Sequence, residues 1–287
     1  MAADRMRFAV MYNTAGYGTD PDALVRVARH AEACGFESIL FPEHIALHPG
    51  ATLGGHPIPP TLAVADPLEC LTFVAAATDR LLLGTAVLLL PYRHPVVLAK
   101  QLATIDLLSR GRLRLLTVGL GTIEREAGAT GVDFASRGRR ADEAIDVLRA
   151  LWTGGPEGVS YEGEFFAFTD LCVFPQPSGP LPIHVGGSSR AAARRAGRRG
   201  DGFFPGGMLL HAEREAQLDL VRSTARAAGR EPAAIEYTRW GSIDLTPARV
   251  AGYAAQGVDR LVVSPSIGPV QDQLEELSAF AEQHIAG

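Results

Sequence analysis

Residues 81–121, LLLGTAVLLLPYRHPVVLAKQLATIDLLSRGRLRLLTVGLG, place two apolar runs on either side of a helical segment. Leu81 to Leu90 is short and almost continuously apolar, as in a strand buried on both faces. Pro95 to Leu108 begins with a proline suited to a first helical turn, and Gly111 stops it. Leu113 to Val118 reads as the next strand. Two successive strands joined by a helix make a right-handed parallel crossover, so this stretch predicts an α/β fold with a parallel sheet. It also raises a question. Gly84, Thr85 and Ala86 interrupt the first strand where bulky side chains would fill a core better, and the strand ends in Tyr92, Arg93, His94 and Pro95.

The same rhythm continues in both directions. Upstream, Arg7 to Met11 and Ser38 to Phe41 read as strands, with helices at Pro21 to Cys34 and Pro67 to Thr78. Downstream, an amphipathic helix covers Arg140 to Trp152. Strands follow at Ile183 to Val185, Gly202 to Phe204, Ile235 to Trp240 and Arg260 to Val263. Helices near 188–198, 212–228, 247–255 and 270–284 separate and follow them. About eight β-then-α units in 287 residues predict a closed (β/α)8 TIM barrel forming one domain over residues 1–287. Two segments exceed the alternation. The Gly/Pro-rich stretch at about 45–65, after strand two, predicts a lid loop, and the aromatic, alternating stretch at about 154–180 predicts a β-rich insertion before strand five. Both are expected at the C-terminal ends of the strands, where barrels of this kind keep their active sites.

Composition narrows the partners. The net charge is −5 and no lysine- or arginine-dense block is present, so nucleic acid is not expected as a partner. No apolar stretch approaches a membrane span, and the opening MAADRMRFAVMYN has no long apolar core. A cytoplasmic protein without a signal peptide is therefore expected. Cys34, Cys70 and Cys172 are few, odd in number and far apart, which argues against a disulfide framework or a Cys-x-x-Cys metal site; they read as small core residues.

Two constellations carry chemistry. FPEHI puts Glu43 and His44 at the end of strand two, where an imidazole beside a carboxylate suits proton transfer. The alternative is a solvated pair or a helix cap. His44 and His48 lack the intervening order of a His-Glu-x-x-His zinc motif, so no metal site is expected. PIHVGGSSR ends a strand in Gly186 and Gly187 and opens a helix with Ser188 and Ser189. Glycines permit close backbone approach, and free N–H groups at a helix N-terminus attract a phosphate. The alternative is an ordinary turn with a serine cap. Arg190 lies in the first helical turn, within reach of an anion, while the arginines after it read mainly as a solvated face. TVGLGTIEREAG fails the dinucleotide fingerprint, because Glu124 stands where the third glycine belongs; Gly119 and Gly121 read instead as room for something flat.

Together these motifs resemble the luciferase-like monooxygenase superfamily, in particular its coenzyme F420-dependent oxidoreductases. Residues 66–113 carry the likeness most strongly, and GRRADEAIDVLRALW, YEGEFFAF and IHVGGSSRAAARRAGRRGDGF follow in the same order. The resemblance implies a barrel binding F420 or FMN at the strand ends, with hydride transfer to or from a small organic substrate. It implies a non-prolyl cis peptide in strand three, placed at Ala86–Val87, so that the small residues form a shelf for a tricyclic ring. His44 and Glu43 become the catalytic candidates. The cofactor contacts become Met11, Thr85, Ala86, Val87, Gly119, Gly121, Gly186, Gly187, Ser188, Ser189 and Arg190. One departure stands out: Thr122 occupies the place of a glutamate that acts on protons in F420 dehydrogenases, leaving Glu124 or Glu126 to substitute. His94 is expected to cap the helix at Pro95, and His184 to be structural. Relatives often form homodimers. Three other readings stay open: an FMN-dependent reduced-flavin monooxygenase, a barrel that binds without catalysis, and a sugar-phosphate enzyme.

Overall fold

The computed structural model describes residues 6–206 and 209–286. Eight parallel strands close into a barrel. They are β1 (Arg7–Met11), β2 (Ser38–Phe41), β3 (Leu82–Leu89), β4 (Leu113–Gly119), β5 (Ile183–Gly186), β6 (Gly202–Phe204), β7 (Glu236–Trp240) and β8 (Arg260–Val263). β1 pairs with both β2 and β8, which completes the ring. The outer helices are α1 (Pro21–Ala33), α2 (Pro67–Ala77), α3 (Pro95–Leu108), α4 (Arg137–Thr153), α5 (Arg190–Arg199), α6 (His211–Ala227), α7 (Pro247–Ala255) and α8 (Val270–His284). Four of them share one starting device. Asp20, Asp66, His94 and Thr246 each accept a backbone N–H of the first turn, and a proline already holding a helical φ comes next. His94 thus caps α3, as its sequence suggests.

The core has two layers. A large apolar shell joins the outward faces of the strands to the helices. A smaller cluster inside the barrel contains Ala9, Met11, Leu40, Ala86, Leu115, Phe204 and Val262, with Trp240 packed against it. This interior answers part of the question about β3. A Cβ on Gly84 would lie 2.6 Å from the Leu115 carbonyl oxygen and would collide with Leu40, so this glycine serves interior packing and is no part of a ligand shelf. Thr85 corrects the expectation too: it is fully buried, and its hydroxyl donates to the Thr117 carbonyl at 2.7 Å. Only Ala86 and half-exposed Val87 remain at the upper end. The Ala86–Val87 peptide is cis, and the β3–β4 register shifts between Ala86 and Leu88.

Two connections depart from simple loops. The segment after β2 contains an antiparallel pair, Thr52–Leu53 with His56–Pro57. It is tied down where Thr14 Oγ1 donates to the Ala63 carbonyl and accepts from Ala65 N–H. The insertion before β5 contains the expected hairpin, Val159–Glu162 with Ala167–Leu171. Its placement differs from expectation. It leaves the C-terminus of α4, and therefore the opposite face of the barrel from the strand C-termini. It climbs along α4 until Glu143 accepts the N–H groups of Glu164, Phe165 and Phe166, and only this turn reaches His94 at the rim. Of the cysteines, Cys70 is buried, Cys34 half-buried and Cys172 exposed, so the core reading holds for the first alone.

Candidate active site

The strand C-termini converge on one rim, and β2 delivers the dipeptide Glu43–His44 to it. The two side chains part company. His44 Nδ1 lies 3.2 Å from Glu126 Oε2 and 3.4 Å from Oε1. The Glu126 side chain is fully buried. Its Oε1 also accepts the N–H groups of Ile45 at 2.6 Å and Ala46 at 3.3 Å. One carboxylate therefore fixes both the imidazole and the backbone that carries it. With Nδ1–H given to the carboxylate, the neutral ring offers Nε2 outward as an acceptor, with no partner among the described residues.

Glu43 is not the imidazole's partner, which corrects the pairing read from the sequence. It is 5% exposed, accepts the Leu89 N–H, and forms a double contact with the Arg93 guanidinium. Arg93 bridges on to Asp66, the cap of α2. Burial pushes the Glu43 carboxyl above its usual range, against the pull of Arg93. This ion pair closes the seam between β2, β3 and α2, and it sets the wall of a cavity of about 390 Å³ shared by His44, Val64, Tyr92, Arg93 and Thr130. Tyr92 brings a second unsatisfied group: its hydroxyl is buried without a hydrogen-bond partner, and burial, then Glu126, push it up to about 12.

The rim glycines make room for side chains of the protein. A Cβ on Gly186 would come 2.6 Å from Val87 Cγ1, and one on Gly119 would collide with the same side chain. Gly121 has φ +74° and lies under the Tyr92 hydroxyl. The space expected at strand four for a flat ligand is thus taken by Val87 and Tyr92. Gly187 is different. Its φ of +110° suits only glycine, and the space a Cβ would fill holds nothing closer than Ala192 at 3.4 Å. Ser188 and Arg190 are exposed beside it, and Ser189 caps α5 by accepting the Ala192 N–H at 3.1 Å. Gln217 of α6 donates to the Ser188 carbonyl and holds the loop.

The larger cavity of about 690 Å³ lies at the opposite face, where Arg149 and Asp201 pair with each other at 2.7 Å, so size and chemistry point to different ends of the barrel. No cluster of His, Cys, Asp and Glu suited to a metal exists among the described residues. Thr122 and Glu124 are exposed, and Glu126 alone of the three meets His44. Helical phase could have chosen it: in the turn Glu124–Ala129, residues 124 and 126 are roughly 200° apart, and 126 shares its side with apolar Ile123 and Ala127.

Residues 5–261 match the family model for luciferase-like monooxygenases. The chain belongs to that family. Within it, the chain is 34% identical over 268 residues to an F420-dependent glucose-6-phosphate dehydrogenase of Kribbella flavida, covering 84% of this chain and 76% of the relative. Across several such dehydrogenases the chain spans 49 to 76% of their length. Among solved structures, an F420-dependent secondary alcohol dehydrogenase holding an F420–acetone adduct superposes with a TM-score of 0.77, with 17% identity over 97% of this chain and 98% of that one. A riboflavin lyase with modified FMN gives 0.71, with 22% identity over 87% of this chain and 66% of that one. These likenesses show the luciferase-like barrel. No helix among the described residues is long and apolar enough to cross a membrane.

Proposed function

We propose that this luciferase-like protein is an F420-dependent oxidoreductase acting on a small organic substrate, as one barrel domain, in the cytoplasm. The observation that carries the reading is His44, oriented by buried Glu126 with Nε2 turned toward a rim cavity. The activities named for the relatives support the choice of F420.

The residues suit such a cofactor. Met11, Ala86, Phe204 and half-buried Trp240 make an apolar floor at the top of the interior, with Val87 at its edge. Gly187, Ser188, Ser189 and Arg190 form an open anion cradle at the N-terminus of α5. F420, when bound, supplies the hydride chemistry. His44 Nε2 takes or gives the proton that accompanies it, or stabilises the charge that develops, while Glu126 holds the tautomer. Arg93, held between Glu43 and Asp66, fixes the cavity wall in place. The 45–65 segment contributes Val64 and covers the substrate. A homodimer is part of the proposal: Phe73 on α2 and Val97 and Leu108 on α3 are 45%, 58% and 64% exposed, an apolar face that a second copy would cover.

Titration of the purified protein with F420 and with FMN tests the reading. Saturable F420 binding that Gly187→Val removes supports it. Preferential FMN binding assigns the site to reduced-flavin monooxygenation instead, and failure to bind either leaves a barrel without redox function.

A further inference from the structure

The cavity beside His44 has a charge pattern of its own. Asp66 stands immediately before Pro67 and caps α2, its Oδ1 accepting the Leu68 N–H at 2.8 Å. That leaves Oδ2 to turn toward Arg93, which follows β3. Arg93 reaches the other way as well, with Nε 3.0 Å from Glu43 Oε1 and Nη2 on the same oxygen. One guanidinium is therefore held between two carboxylates, Glu43 buried beneath it and Asp66 with its side chain 41% exposed.

Among the described residues lining the cavity, Arg93 is the one arginine or lysine, and both of its carboxylate partners stand in the same lining. Glu126, bonded to the far side of the His44 ring, adds a third carboxylate. Arg137 lies outside the lining, its Cζ 3.5 Å from the Phe134 ring centre and its donors on the Phe134 and Gly121 carbonyls. An anion entering here would lose its water and meet like charge, with no uncommitted cation in return. An uncharged oxygen meets a better match. His44 Nε2 is an acceptor, and Arg93 Nη1 makes no hydrogen bond among the described residues. Ile45, Val64 and the Tyr92 ring supply apolar surface for the remainder of such a molecule.

We infer that Asp66 sets the charge selectivity of the cavity that the proposed function gives to the substrate, and that, resting on that function, the substrate is an uncharged alcohol or carbonyl compound with a small apolar body. Glu43 alone would neutralise Arg93; Asp66 adds a second, partly exposed carboxylate and turns the balance of the wall negative. Glucose 6-phosphate, the compound in the names of several relatives, carries roughly 1.5 to 2 negative charges near pH 7 and does not suit this wall.

Equilibrium binding to the F420-loaded protein, followed by saturation-transfer NMR of the ligand, tests this with a matched pair: 4-hydroxycyclohexanecarboxamide and 4-hydroxycyclohexanecarboxylate. The neutral amide should bind roughly tenfold or more tightly than the anion. Asp66→Asn, which retains a capping oxygen for the Leu68 N–H, should cut this preference about threefold or more. Thr130→Lys, which adds a cation from another part of the wall, should cut it as well. The cationic probe 4-aminocyclohexanol should bind no better than the amide. Equal or tighter binding of the carboxylate, preference for the cationic probe, a preference unchanged in both variants, or no binding of the amide would each overturn the assignment. Protein that binds F420 yet prefers the carboxylate loses the substrate class alone. Failure to bind F420 removes the cofactor instead, and the same pair measured on the apoprotein then tests the charge selectivity by itself.

Discussion

The two ends of this barrel spend their polar groups in opposite ways. At the N-terminal end, Arg7 meets Glu236 at 2.7 Å and Glu37 at 3.5 Å. Arg260 binds the same two carboxylates, and His184 sits 3.8 Å from Glu236. Each of these charges has a protein partner. At the C-terminal rim, by contrast, His44 Nε2 and the Tyr92 hydroxyl have no protein partner among the described residues, and the space beside Gly187 is open. Groups that satisfy each other hold the barrel shut; groups left wanting are available to a ligand. Substitutions at the lower end should therefore change stability while sparing turnover, and those at the rim should do the reverse.

The largest effect is expected from Arg260→Met. It leaves Glu37 and Glu236 short of a buried counter-charge, and should cost about 3–5 kcal/mol in urea unfolding. A loss below 1 kcal/mol would mean the network is ornamental. Next comes acid sensitivity. Burial, then Arg260, push His184 down to about 4 from an ordinary 6.5. The unfolded chain then takes up the proton first, so stability is complete above 6.5 and falls by roughly 3 kcal/mol as pH drops through this window. Burial alone would raise Glu236, but Arg260 and Arg7 outweigh it and hold the carboxyl at about 2 rather than 4.5. Its contribution is present above 4.5 and is lost toward 2, so both groups destabilise in acid. A flat stability profile between pH 7 and 4 would refute the His184 part.

At the rim, His44→Ala should lower turnover about a hundredfold or more with cofactor affinity within a few-fold and the urea midpoint unmoved. Unchanged turnover removes His44 from the chemistry. Glu126→Gln should be milder, near tenfold in kcat, because the amide oxygen still accepts the Ile45 and Ala46 N–H groups while the imidazole loses its anionic partner. A shifted pH profile of kcat in this variant separates a positioning role from mere loop support. If instead it unfolds at low urea, the contrast between the two ends is weaker than drawn.

Much of the barrel was legible because its signals are local. Asp–Pro, His–Pro and Thr–Pro caps, short apolar runs and glycine stops lie within a few residues of the elements they bound, and β1, β2, α3, β6, α7 and β8 fall where the pattern puts them. The cis bond at Ala86–Val87 was legible through resemblance, and the Gly187 turn from its own glycines and serines. The partner of His44 was harder to read. Neighbours in sequence suggested Glu43, yet successive residues at a strand end point apart, and the carboxylate that arrives comes from 82 residues away. The glycines misled for a similar reason: a missing side chain shows that space is needed, but not whether Val87, Leu40 or a ligand fills it.

By itself, then, the order of amino acids determined that eight parallel strands alternate with helices, and that Glu43–His44 and the Gly187–Ser189 turn follow β2 and β5, because periodicity, capping and chain connectivity act over short distances. Only the closed barrel decided that Glu43 belongs to Arg93, that Glu126 orients His44, and that Asp66 shares the Arg93 guanidinium. Pairing of charges depends on distances and burial across the ring, and these exist only once the strands have closed.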